Sequence, residues 1–206
     1  MSISLPVSVV TRNVYCNLKK MLYYPQVCEM HNVELQQLIN QTIVDTTQQL
    51  INEQVGNMPT TVAEMLGTYE IKNNQRDVLS LSLTNYTYHD RAAHGMTYIK
   101  SLTFDLQKGT YCELKDLFKP GSDYVGRISA IIHEQIIQRN IQLLEPFNVI
   151  RPDQDFYIAD KSLVVYFQLY EITAYVYGFP MFPISVYDLQ DIIKEDGPLG
   201  RMLRNN

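Results

Sequence analysis

The chain has 206 residues, 46% of them hydrophobic and 19% charged. That length supports one substantial core, or two small lobes sharing one, and the composition excludes a disordered chain. The formal net charge is -5 and no Lys/Arg-rich run occurs, which excludes nucleic-acid binding because phosphates are neutralised by clustered cations.

The opening residues, Met1 to Val10, lack a positive n-region and alternate apolar with polar side chains. That is a strand pattern rather than a signal peptide, and it predicts a cytoplasmic chain as the sequence stands. No apolar run approaches the ~20 residues of a membrane-spanning helix. Ser4–Cys16 reads as extended and Leu22–Val27 as a second short strand. Asn32 is a candidate N-cap for a helix running to Gln54. Leu35, Leu38, Ile39, Thr42, Ile43, Thr46 and Leu50 share its apolar stripe.

The middle of the chain reads as an antiparallel meander. Thr68–Lys72 is a strand and Asn73-Asn74-Gln75 a turn. Val78–Tyr88 follows, with Leu79, Leu81 and Leu83 on one face and Ser80, Ser82 and Thr84 on the other. Tyr98–Leu106 alternates in the same way, and Tyr111–Leu114 is a further short strand. Ser122 caps a helix over Asp123–Asn140 whose inner face carries Val125, Ile128, Ile131, Ile132, Gln135 and Ile136. Phe156–Ala159 and Leu163–Leu169 flank an Asp160-Lys161 turn, and the continuous apolar run Val164 to Phe167 predicts a strand covered on both faces. Thr173–Tyr177 reads as one more strand. Ser185 caps a short helix, Val186–Lys194. The resulting fold class is α+β: an antiparallel sheet with two longer helices and a short C-terminal helix packed on it. Residues 1–196 form a single domain, and 197–206 a polar, frayed tail.

No G-x-S-x-G, H-E-x-x-H, Walker or G-x-G-x-x-G motif occurs, and no cofactor is implied. The three cysteines, Cys16, Cys28 and Cys112, contain no C-x-x-C pair. They read as buried or half-buried thiols, with one bridge such as Cys16–Cys28 left open. The run Tyr88 to Gly95 holds His89, Asp90 and His94, ligand types at a spacing that fits no named metal site. It reads as a solvated loop with His89 exposed and His94 bonded to backbone. Asp153 and Asp155 lack the rest of a calcium loop and read as a turn. Glu171 stands among Tyr170, Tyr175 and Tyr177. Either it lines a pocket whose tyrosines stack a ligand, or it points outward from an aromatic sheet edge.

The stretch Phe156 to Phe167, then Tyr170-Glu171-Ile172 and Gly178, together with Ala93-His94-Gly95, Leu102 to Leu106, Gly109 and Leu114 to Phe118, carries a resemblance. In this order the segments are similar to a bacterial domain family of unknown function. That family includes the extracellular part of the lysozyme-sensing anti-sigma factor RsiV and the domain preceding the catalytic unit of the peptidoglycan deacetylase PdaC. The resemblance implies helices packed on an antiparallel sheet, and a domain that works by binding. The leading expectation is therefore a non-catalytic binding or sensing module for a protein partner or a cell-wall fragment. His94, Gly95, Tyr170, Glu171 and Tyr175 are its candidate binding residues, and no metal is expected. Two alternatives stay open: a small hydrolase or metal-dependent enzyme with His94 and Glu171 as base and orienter, and a structural component of an envelope or coat assembly.

Overall fold

A computed structural model describes residues 5–57 and 59–204, without the side chains of Cys16 and Pro59. The first strands are β1 (Ser8–Asn17) and β2 (Lys20–Cys28); the expected start of β1 at Ser4 lies outside the described residues. α1 (Val33–Val55) starts where the Asn32 side chain accepts from the Leu35 amide, and ends at Gly56. β3 (Val62–Gln75), β4 (Val78–His89), β5 (Met96–Asp105) and the two-residue β6 (Thr110–Tyr111) complete a six-stranded sheet in chain order. All its pairings are antiparallel except β2 with β3, which run parallel over three residues. After α2 (Tyr124–Gln138), β7 (Phe156–Ala159), β8 (Ser162–Tyr166) and β9 (Met181–Ser185) make a second antiparallel sheet with β8 in the middle. α3 (Pro198–Leu203) ends the described chain.

Two cores result. Leu35, Ile39, Ile43 and Leu50 of α1 pack on Leu79, Leu81, Leu83, Leu102 and Phe104 of the large sheet, the faces that periodicity predicts. Leu38 departs from the predicted stripe and is exposed. The second core joins Ile128, Ile132 and Ile136 of α2 to Ile158, Leu163, Val165 and Ile184 of the small sheet. Val164, Val165 and Tyr166 are all buried, as a central, doubly covered strand requires.

The opposite face of β4 is not solvated. Ser80 and Ser82 are buried because the small sheet lies against them: Ser80 Oγ accepts from the Ile158 amide at 3.0 Å and pairs with Thr103 Oγ1 at 2.9 Å. Small hydroxyls let the layers approach closely while each polar atom keeps a partner.

Several expected boundaries move. β3 continues through Asn73 and Asn74, and the turn falls on Arg76 and Asp77, both at positive φ, as a two-residue hairpin twisted to match its strands demands. Thr173–Tyr177 is not a strand. Only Tyr175–Tyr177 is regular, a single 3-10 turn closed by Gly178 at φ 69°. The helix expected over Val186–Lys194 shortens to the 3-10 turn Val186–Leu189, with Ser185 capping the Tyr187 amide.

The largest correction concerns the tail. Residues 197–204 are not a frayed end: Pro198 opens α3, and Leu199 and Met202 enter the second core. Asn205 and Asn206 lie outside the described residues. Arg201, only 5% exposed, makes a two-pronged ion pair with Asp105, at 2.7 Å from Nη2 and 3.2 Å from Nη1. Its Nε and Nη2 also donate to the carbonyls of Arg76 and Asp77, so one guanidinium ties the β3–β4 turn to the end of β5. Removing one member of such a pair leaves a buried charge and costs about 3–5 kcal/mol. Arg201→Met should therefore lower the denaturant midpoint sharply. The double variant Arg201→Met/Asp105→Asn should recover part of the loss, since no buried charge is then left uncompensated.

Candidate functional site

β4 returns to β5 through a tight connection, residues 90–95, which presents His94 at the surface. The chain leaving β8 passes the start of β5. There the Gln168 carboxamide accepts from the Ile99 amide at 3.2 Å and donates to the Ile99 carbonyl at 2.7 Å. This fixes the 168–178 segment beside residues 94 and 95.

Four of the five expected site residues meet there. The His94 ring lies 4.3 Å from the Tyr175 ring and 6.3 Å from that of Tyr170, centroid to centroid. His94 Nδ1 donates to the Gly95 carbonyl at 2.8 Å, and the Tyr175 hydroxyl donates to the same carbonyl at 3.2 Å. With Nδ1 carrying the proton in the neutral ring, Nε2 accepts from the Tyr170 hydroxyl at 3.2 Å. Gly95 is required because a Cβ there would overlap the Tyr86 ring. Beside this cluster Val176 is 85% exposed, and Tyr177 is exposed too, so the aromatic surface continues outward.

Glu171 takes a different part. One carboxylate oxygen accepts from the Gln168 amide at 2.7 Å. The other pairs with the Arg151 guanidinium and accepts from Gln154 Nε2 at 3.2 Å. Both oxygens are therefore engaged by Arg151, Gln154 and the Gln168 amide, and among the described residues neither bonds His94. The base-and-orienter pair of the hydrolase reading is not assembled. The carboxylate instead closes the turn that holds Tyr170 at φ 66°, a left-handed conformation that costs a non-glycine residue about 1–3 kcal/mol, with the residue 45% exposed. Tyr170 and Glu171 also border an apolar groove of about 480 Å³, walled by Leu144, Phe147, Val149 and Ile172.

His89 is half-buried rather than exposed, because its ring spans two elements: Nδ1 meets Thr61 Oγ1 at 2.7 Å and Nε2 meets the Gln54 carbonyl at 2.8 Å. Among the described residues no three of His, Cys, Asp or Glu gather as a metal set. Cys28 and Cys112 are free thiols; the Cys16 side chain, and with it the Cys16–Cys28 bridge, lies outside the described residues. Burial pushes the Cys112 thiol up to about 11, which leaves it without the thiolate character of an activated nucleophile. Sequence reasoning missed Gln168, Arg151, Gln154 and Tyr86, which support the site from elsewhere in the chain.

The comparisons divide the chain in two. A family model described as Deacetylase PdaC matches residues 15–97, and one described as Protein of unknown function (DUF3298) matches residues 115–187. Anti-sigma-V factor RsiV of Bacillus subtilis (strain 168) is 30% identical over 181 residues, 82% of this chain and 63% of RsiV. Peptidoglycan-N-acetylmuramic acid deacetylase PdaC of the same organism is 25% identical over 134 residues, 62% of this chain and 28% of PdaC. The chain thus spans less than two thirds of either relative. Crystal structures of DUF3298 family proteins from Bacteroides fragilis NCTC 9343 and Pseudomonas aeruginosa PAO1 each superpose with a TM-score of 0.69 at 13% identity. They cover 97% and 99% of this chain and 98% and 99% of their own, a likeness of fold.

Two outcomes follow from this geometry. Gly95→Ala should displace the Tyr86 ring and disperse the His94–Tyr175 stack, seen as loss of the ring-current shifts of both side chains by NMR. Cys112 should resist alkylation at pH 8 in the folded protein while Cys28 reacts. Because folding raises the Cys112 pKa, the neutral thiol is the stabilised form. That stability is complete below its ordinary pKa near 9 and is lost as pH rises towards 11, so the urea midpoint should fall across that interval.

Proposed function

We propose that this chain, which belongs to the domain family of unknown function shared by RsiV and PdaC, is a non-catalytic module that binds a protein partner at the bacterial cell envelope. The family relationship and the α+β fold are the premise. One relative is named as an anti-sigma factor and the other as an enzyme of peptidoglycan, which supports an envelope setting and a binding role. Among the described residues no helix is long and apolar enough to cross a membrane.

The observation that carries the reading is Tyr170. A turn closed by an ion-paired carboxylate holds it in an unfavourable backbone conformation and turns its ring outward, stacked beside His94 and Tyr175. Strain of this kind persists where the surroundings impose it, and it clusters at ligand-contacting positions. A pre-ordered aromatic ring with an apolar groove beside it suits an anchor for protein recognition, since little side-chain entropy is lost on binding. Glu171 is a positioning residue here, acting through Tyr170. Its spent oxygens weigh against acid–base chemistry at this place.

The test uses the immobilised domain, native envelope extract, lysozyme and purified sacculi. One protein retained by the wild type should be lost with Tyr170→Ala and His94→Ala, and kept by the remote control Tyr15→Ala. Glu171→Gln should weaken the same binding about 10-fold, while the fold, read by circular dichroism, stays intact. Retention of sacculi alone, or of nothing by a well-folded domain, would defeat the protein-partner reading.

A further inference from the structure

An open strand edge presents a row of backbone donors and acceptors that another strand can pair with. Most edges of this fold are met by side chains. Gln168 serves Ile99 of β5, and Asn40 serves Val27 of β2. On the small sheet the Met181 and Pro183 carbonyls of β9 accept from Arg139 Nη1 and Gln135 Nε2, each at 2.8 Å, and the Ile158 amide of β7 donates to Ser80. β1 is treated differently. It is the far edge of the large sheet, ten residues long, and pairs with β2 alone. Among the described residues nothing bonds its outer backbone from Val9 to Tyr15. Its side chains are bare on both faces: Val10 is 40%, Val14 45% and Tyr15 58% exposed. It also lacks the devices that blunt an edge. It holds no Pro and no Lys, and its one charge, Arg12, donates back to Gln26 of β2.

In antiparallel pairing, residues that face each other belong to the same hydrogen-bonding class. A two-fold axis between two copies of β1 therefore passes through one residue. The strand runs from 8 to 17, so an axis at Arg12 overlaps residues 8–16 and an axis at Asn13 overlaps 9–17. The first sets two guanidiniums face to face, which is destabilising. The second sets Asn13 against Asn13, whose carboxamides donate and accept reciprocally, Thr11 against Tyr15, and Arg12 against Val14. No like charges meet. That match of the strand to itself selects a second copy as the occupant. We infer that the chain forms a two-fold dimer by antiparallel pairing of β1 with β1 of a second copy, centred on Asn13. The dimer is closed, because at the other edge of each sheet β6 is two residues long and Gln168 already occupies Ile99. The Tyr170 surface lies beside β5, towards that other edge, and stays open in both copies.

Sedimentation equilibrium at low salt, over a wide range of protein concentration, measures the dimer. Val14 is exposed and stands across from Arg12 of the second copy, so its charge variants test the register without touching a core. Val14→Lys sets lysine against arginine, and Val14→Glu sets a carboxylate there. Each contact occurs twice, so the dissociation constant should rise roughly 10-fold with the first and fall roughly 10-fold with the second. The net charge of -5 alone demands the reverse order, since Val14→Lys lowers the repulsion between copies and Val14→Glu raises it. Arg12→Glu/Val14→Lys exchanges the charges and should dimerise at least as well as the wild type. Tyr170→Ala should change nothing. A monomer at every concentration, equal effects of Val14→Lys and Val14→Glu, or an order that follows net charge would overturn the inference.

Discussion

The outer edge of β5 is the constraint that places the site. β6 covers only Phe104 and Asp105 of that edge, so the remaining backbone groups must find partners from the second layer. The Gln168 carboxamide supplies both a donor and an acceptor to Ile99, as a neighbouring strand would, and also donates to Asp155 at 3.0 Å. Next to it the Tyr166 hydroxyl, fully buried, meets Ser101 Oγ at 3.0 Å. The same buried phenol has its pKa driven well above the ordinary value, chiefly by desolvation, so it stays a neutral hydrogen-bonding group. Side chains thus do the work of a ladder. Because they leave from β8 and the residues just after it, they bring Tyr170 and Tyr175 against the turn that precedes β5.

That arrangement joins the two stretches picked out by the family models. His94 and Gly95 lie in the first, and Tyr170, Glu171 and Tyr175 in the second. The aromatic cluster exists only where both are folded together, so its geometry depends on the inter-layer seam as well as on local turns. Ser80 and Thr103 keep that seam thin, and Asn40 performs on β2 the service that Gln168 performs on β5. Its carboxamide accepts from the Val27 amide at 2.8 Å and donates to the Val27 carbonyl at 2.9 Å. Partially paired strands are a recurrent feature of this fold, and carboxamides close them.

Much of this was legible in the sequence where periodicity is local. Leu79, Leu81 and Leu83, or Ile128, Ile132 and Ile136, announce their buried face because one element decides it. What periodicity cannot say is what covers the other face. Ser80 and Ser82 form the polar face of the alternation, yet a second sheet hides them. Among the site residues, the aromatic content of 170–177 and the His94-Gly95 pair stood out by type. Their meeting was not derivable, since 76 residues separate His94 from Tyr170 and the bond between them is set by topology. Glu171 was read as a ligand group or an outward edge residue. It serves the backbone of its own turn, a role that becomes visible only once Arg151 and Gln154 are brought alongside.

The C-terminus shows the same limit most sharply. Arg201 and Arg204 make residues 197–206 look polar, whereas the spacing of Leu199, Met202 and Leu203 behind Gly197-Pro198 is that of a capped helical turn with an apolar side. A charge is excluded from a core only when it lacks a partner. Here Asp105 and the carbonyls of a left-handed turn supply one 96 and about 125 residues away in sequence. That partner lies at the end of β5 opposite to His94, so the strand is held at one end by a buried ion pair and, near the other, by a carboxamide. A strand anchored in this way is a rigid base for the aromatic surface, and rigidity of the base allows a strained tyrosine to be displayed without relaxing.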